Sequence, residues 1–209
     1  MTPRRTRELE ILAERYPRQV AIKDGRMITL RPMTRDDKDL LLDFFSHVPA
    51  NDRLHLADDV ADPKVITRWT RELDYSKVLP ILAEFEGRII GDATLKPYSA
   101  KWMSHVAQIR VVVTPEFRQQ NVARLLIREL VYHALRLGLD KIEAQLPNAL
   151  SALSGMFERM GFKRETVLKN QITDLSGNLD DLIIMTQDVE NFWQAIGDVY
   201  SDYAVFREF

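Results

Sequence analysis

The chain has 209 residues, 45% hydrophobic and 29% charged, a balance that suits one globular domain with room for an added terminal element. It has no cysteine, which excludes disulfides, a cysteine nucleophile and thiolate-held zinc, and its formal charge of -2 gives no general attraction to nucleic acid. Apolar runs such as Val111–Val113 fall far short of the roughly 20 residues of a membrane helix, and no apolar signal core follows the basic start, Met1 to Arg7. The expectation is a soluble, unprocessed, cytoplasmic protein with neither a nucleic-acid nor a membrane partner.

Arg4 to Tyr16 reads as a charged helix ended by Pro17. Val20 to Lys23 and Met27 to Arg31 alternate like strands around Asp24-Gly25, a hairpin signal. Thr34 stands as a helix N-cap, with Asp36 and Asp37 in the first turn and Leu40, Leu41, Phe44 and Phe45 as the apolar face. A second helix is expected over Pro63 to Leu73, with proline in its first turn. Three strands follow: Val78 to Phe85, Arg88 to Leu95 and His105 to Val113. The loop Lys96 to Ser104 between the last two is long enough to move. Helical spacing runs over Pro115 to Gly138, where Ala123, Ile127, Leu130, Ala134 and Leu137 share a face. Lys141 to Leu146 reads as a strand and Ala149 to Met160 as a helix stopped by Gly161. Strands over Glu165 to Thr173 and Leu182 to Thr186 flank Ser176-Gly177-Asn178. This order predicts an α/β fold, a mixed, mostly antiparallel central sheet flanked by helices. The chain divides into an N-terminal helix and hairpin strand (1–26), a main domain (27–188) and a C-terminal amphipathic helix (189–209).

The segment IRVVVTPEFRQQNVARLL, Ile109 to Leu126, carries the chemistry. A β-branched strand passes through a short polar connection directly into a helix, where open backbone N–H groups meet the positive end of the helix dipole. First turns favour Asp and Glu. Here the connection and first turns hold Arg118, Gln119, Gln120, Asn121 and Arg124, and Arg128 follows one turn later. Such a cluster suits either a bound polyanion or a solvated basic surface whose arginines pair with Glu129 or Glu143.

V-x-P-E-F-R-x-x-x-V-A-R-L-L resembles the acyl-coenzyme A motif of the GNAT N-acetyltransferases, V-x-P-x-x-Q/R-x-x-G-x-G/A, with matches at Val113, Pro115, Arg118 and Ala123. The element order from Ile28 to Thr186 is similar too, as are the opening Arg31 to Asp36 and the closing Met156 to Phe162. The resemblance implies a GNAT-like fold that takes acetyl-CoA as acyl donor. Backbone groups of Val111 and Val113 would bond the pantetheine arm. The loop Arg118, Gln119, Gln120, Asn121, Val122, Ala123 and Arg124 would cradle the pyrophosphate.

The sequence departs from the family at three places. Asn121 replaces the motif glycine; asparagine tolerates left-handed backbone, but its side chain crowds a phosphate. Gln108 stands where many relatives carry a glutamate base, and a neutral amide cannot take a proton near neutral pH. Phe157 stands where many carry a tyrosine acid, and Leu150 where an asparagine is common. Substitute bases are Asp92, His105 and Glu143; the structural alternatives are a turn-side hydrogen bond for Asp92, a strand cap for His105 and a pairing with arginine for Glu143. His47, His55, His105 and His133 lack metal spacing, and His133 reads as a core-edge residue. Trp69 reads as core and Trp102 as a pocket wall. Phe192, Ile196, Val199 and Tyr203, with Trp193 and Tyr200 beside them, form an apolar face that packs on the domain, covers the substrate groove or contacts a second copy as a homodimer. Asp36, Asp37 and the Asp58 to Asp62 stretch offer attraction for a cationic acceptor. The leading expectation is an acyl-CoA-dependent N-acetyltransferase acting on a primary amine of a small molecule or protein. The alternatives are a GNAT-like acyl-CoA-binding or regulatory module with lost catalysis, and an interaction domain without a nucleotide ligand.

Overall fold

The computed structural model describes residues 12–54, 56 and 58–192. Its centre is an eight-stranded sheet in the order β1-β2-β3-β4-β5-β6-β8-β7. The strands are β1 (Arg18–Ala21), β2 (Met27–Pro32), β3 (Leu79–Phe85), β4 (Arg88–Pro97), β5 (Val106–Val113), β6 (Lys141–Pro147), β7 (Lys163–Thr173) and β8 (Leu179–Asp188). All neighbours are antiparallel except β5 and β6. The mixed, mostly antiparallel sheet expected from the sequence is therefore present.

The helices are α1 (Lys38–His47), α2 (Ala50–Leu54), α3 (Pro63–Arg71), α4 (Val122–Arg136) and α5 (Ser151–Arg159). Thr34 and Asp37 form a reciprocal capping box ahead of α1, and Asp62 caps α3 through the Lys64 amide. Leu41, Phe44 and Phe45 of α1 with Ile66 of α3 build a core on one face of the sheet, closed by Leu82, Ile89 and Val112. The larger core lies on the other face, where Val122, Leu126, Leu130 of α4 and Phe157 of α5 meet Ala93, Ile109, Ile142 and Ile183. The close approach of α4 to β4 depends on Gly91: a Cβ there would stand 2.9 Å from Leu126 Cδ1 and 3.3 Å from Val122 Cγ1.

Two elements differ from the expected order. The helix begins at Val122 rather than Pro115, because Pro115–Phe117 form a 3₁₀ turn and Gln119 and Asn121 adopt left-handed φ of 61° and 67°. The short helix α2 was not expected; it buries none of its residues and so leaves no apolar period. Of the helix expected over Arg4 to Tyr16, residues 12–15 are helical and 1–11 lie outside the described residues. At the other end Phe192 is buried, its ring 6.5 Å from Phe162, while Trp193, Ile196, Val199, Tyr200 and Tyr203 lie outside the described residues, as does His55. The loop after β4 is braced: the Tyr98 amide donates to the Val106 carbonyl, and Lys101–Met103 form a turn.

The segment before β1 is bound to α4 by a buried polar cluster. Glu129, 2% exposed, accepts Arg15 Nε at 2.5 Å, Arg15 Nη2 at 2.9 Å, Arg18 Nη1 at 2.6 Å and the Tyr16 hydroxyl at 2.9 Å. Burial favours the protonated acid, but these donors outweigh it and hold the carboxyl below its usual range. His133, only 1% exposed, is a core residue rather than a core-edge one, with Nε2 2.9 Å from the Tyr16 hydroxyl.

Burial pulls His133 from 6.5 down to about 4, against Glu129, which raises it; Arg15 and Arg136 add to the lowering. The unfolded chain therefore takes up the imidazole proton first as pH falls. The stability linked to neutral His133 is complete above about pH 6.5 and is lost toward pH 4. Between pH 7.5 and 5 the expected loss is about 2 kcal/mol, or roughly 4–8 °C in midpoint. Calorimetric scans of His133→Gln should show that part of the pH slope removed; an unchanged slope would reject the assignment.

Candidate active site

The β5–β6 ladder is short. Its register runs from Val106 opposite Lys141 to Ile109 opposite Ala144 and then ends. Beyond that rung β5 stays with β4 as far as Val113 opposite Gly91, and β6 stays with β8 as far as Pro147 opposite Leu182. The sheet thus splits between two parallel strands. The Thr114 amide donates to the Ile90 carbonyl at 3.0 Å. Strand alternation then turns the backbone groups of Val111 and Val113 away from β4, into the split. The Val113 carbonyl accepts Arg118 Nε at 3.2 Å.

The split opens onto the start of α4. Phe117 anchors the connection, buried against Phe85 at 5.4 Å with the Arg26 guanidinium 4.3 Å above its ring. The Gln120 carbonyl accepts the Lys23 amide at 3.1 Å, so the β1–β2 turn braces the loop. Asn121 is the N-cap of α4 in left-handed conformation, yet its side chain caps nothing, and the first turn has no acidic residue. The amides of Val122, Ala123 and Arg124 are thus first-turn donors without a side-chain cap. Arg118 is paired with Asp52 of α2. Neither Glu129 nor Glu143 neutralises this loop, as one expectation held: Glu129 is engaged by Arg15 and Arg18, and Glu143 accepts Tyr98 and Gln145. Asp52 compensates Arg118 in the free chain, so what the loop offers a polyanion is the uncapped first-turn amides and the positive end of the α4 dipole.

Residues 77–164 match the acetyltransferase (GNAT) domain. Among solved structures, an acetyltransferase of the GNAT family from Streptococcus pneumoniae superposes with a TM-score of 0.68 at 16% identity, over 77% of this chain and 99% of that one. This chain has the GNAT fold. The ribosomal-protein-alanine N-acetyltransferase of Brucella melitensis gives 0.66 at 22% identity, over 76% and 98%. The Salmonella typhimurium protein yncA, solved with its cofactor acetyl-CoA, gives 0.67 at 19% identity, over 78% and 94%.

Within the GNAT fold the two faces of β5 differ. Ala107, Ile109, Val111 and Val113 belong to the α4 core, whereas Gln108 and Arg110 face the α1–α3 side. Of the three substitute bases, His105 lies at the far end of β5, where its carbonyl accepts the Asp140 and Lys141 amides. Asp92 is not in a turn; it lies in mid-strand, 2% exposed, 2.5 Å from Arg110 Nη2. Burial pushes its carboxyl up, against the pull of Arg110. Glu143 stands opposite Gln108, one rung before the split.

Phe157 is 5% exposed and packs edge-on against Phe162 at 4.9 Å, so its ring is part of the core. Trp69 joins the α1–α3 core, with Phe45 at 5.8 Å, and donates Nε1 to Asp58 at 2.9 Å. Trp102 is 78% exposed. The acidic residues offered for a cationic acceptor are largely engaged within the chain: Asp37 by Arg31, Asp58 by Arg68, Asp62 by the Lys64 amide. Among the described residues no group of three His, Asp or Glu stands ready to hold a metal, and no helix is long and apolar enough to cross a membrane.

Proposed function

We propose that the protein is an acyl-CoA-dependent N-acetyltransferase acting on a primary amine of a small molecule or protein. The observation that carries this is the split between β5 and β6, which opens onto an uncapped, acid-free helix start beside Arg118. The GNAT domain match and the fold shared with yncA, which binds acetyl-CoA, support it. Val111 and Val113 bond the pantetheine arm through their backbone groups, much as a neighbouring strand would. Gln119, Gln120, Asn121, Val122, Ala123 and Arg124, with Arg118, hold the pyrophosphate. The residues fit that group, because the first-turn N–H groups of α4 are uncapped and Arg118 can exchange its Asp52 partner for a phosphate oxygen. When bound, acetyl-CoA supplies a thioester carbonyl to an attacking amine. The contribution of β5 is a backbone N–H at the split that stabilises negative charge on the acyl oxygen.

A second reading, an acyl-CoA-binding module without turnover, is favoured by Gln108 and by the burial of Phe157 in the core. Thiol release from acetyl-CoA across a panel of primary amines and N-terminal peptides, with products identified by mass, separates the two. Acetylated product above background is the expected result. Binding of acetyl-CoA with no turnover across the panel would transfer the conclusion to the binding module.

A further inference from the structure

We infer that Glu143, held by Tyr98 and Gln145 beside the split, is the subsite that receives the acceptor as a primary ammonium. The inference rests on the acyl-CoA reading of the split. Glu143 lies on β6 directly across from Gln108, and the next rung, Ile109 opposite Ala144, is the last before the strands part. Its neighbours on either side, Ile142 and Ala144, belong to the α4 core, so alternation turns Glu143 to the opposite, polar face together with Gln145.

Two donors fix the carboxylate, the Tyr98 hydroxyl at 3.0 Å and Gln145 Nε2 at 2.9 Å, and both reach the same oxygen, Oε1. Oε2 is left for another partner. Tyr98 remains a protonated donor throughout the neutral range, because burial and then its bond to Glu143 push its hydroxyl up to about 12. No Lys or Arg pairs with Glu143 among the described residues, whereas the other carboxylate near the split, Asp92, is engaged by Arg110. The Arg110 guanidinium in turn lies 5.2 Å from the Trp69 ring centre. A fixed, uncompensated negative charge on a polar face at the mouth of the split complements a cation with N–H donors. A primary ammonium meets that description; a neutral amide or an anion does not.

The test uses the full chain saturated with coenzyme A, titrated by NMR with n-butylammonium, lysine amide and spermidine, with butyramide as the neutral control. Dissociation of acetyl-CoA is measured in parallel by calorimetry. At least one ammonium should bind and butyramide should not. Glu143→Gln should weaken that binding about tenfold and Tyr98→Phe roughly threefold, each with acetyl-CoA affinity within about twofold of the original. Raising the salt should weaken the ammonium alone. If acetyl-CoA binds but no ammonium does, or if Glu143→Gln binds the ammonium as well as the original chain, the subsite is refuted and the acyl-CoA reading stands. If acetyl-CoA itself fails to bind, both fall.

Discussion

Replacing Glu129 by alanine is expected to lower stability by about 3 kcal/mol, equivalent to roughly 6–12 °C in midpoint for a domain of this size. Removing one partner of a buried ion pair leaves the other charge without compensation, and that loss exceeds the modest net value of the pair itself. Arg15, with a side chain 19% exposed, is the residue stranded; Arg18, 36% exposed, is rescued in part by solvent and adds little. Tyr16 loses one acceptor but keeps His133. Glu129→Gln should cost less, because an amide oxygen still accepts from Arg15. Thermal unfolding at pH 7 of the three proteins checks the order. Equal midpoints for Glu129→Ala and the original chain would mean that the cluster does not bind the leading segment to α4.

Exchanging Asn121 for aspartate should weaken acetyl-CoA binding about 100-fold without lowering the stability of the free protein. The two effects have opposite causes. A carboxylate near the start of α4 interacts favourably with the helix dipole, by a few tenths to about 1 kcal/mol. The same charge within about 5 Å of a pyrophosphate costs roughly 3 kcal/mol at an effective dielectric constant near 20. Asn121→Gly should act the other way and tighten binding several-fold, since glycine takes the φ of 67° freely and removes a side chain from the proposed phosphate loop. Calorimetric titration of both variants provides the check. If Asn121→Asp bound as tightly as the original chain, the phosphates would have to lie elsewhere.

The sequence showed the frame of the site but not its wiring. The β-branched run into Val113, the Pro115 turn and the apolar period of α4 are local signals, and they located the strand, the connection and the helix. Asn121 was legible as a left-handed residue because its side chain is among the few that tolerate that region. Gln119, with φ of 61°, was not, since glutamine has no such preference. The split itself left no mark on the sequence: it arises because β5 follows β4 and β6 follows β8 past their last shared rung.

Partners distant in sequence were equally hidden. Glu129 looked available to the loop arginines, yet Arg15 and Arg18 hold it across the fold. Arg118 found Asp52 on a helix too short and too exposed to show an apolar period. Of the three carboxylate and imidazole candidates for a base, only folding could separate His105 at the far strand end from Asp92 under Arg110 and from Glu143 beside the split.

Thermal unfolding with and without acetyl-CoA, with ATP as control, tests whether the β5–β6 split takes an acyl-CoA. At 100 times its dissociation constant a ligand of the folded state adds about 2.7 kcal/mol, so the midpoint should rise by roughly 5–10 °C, with little change from ATP. No shift with millimolar acetyl-CoA would contradict the assignment of the β5–β6 split as an acyl-CoA site.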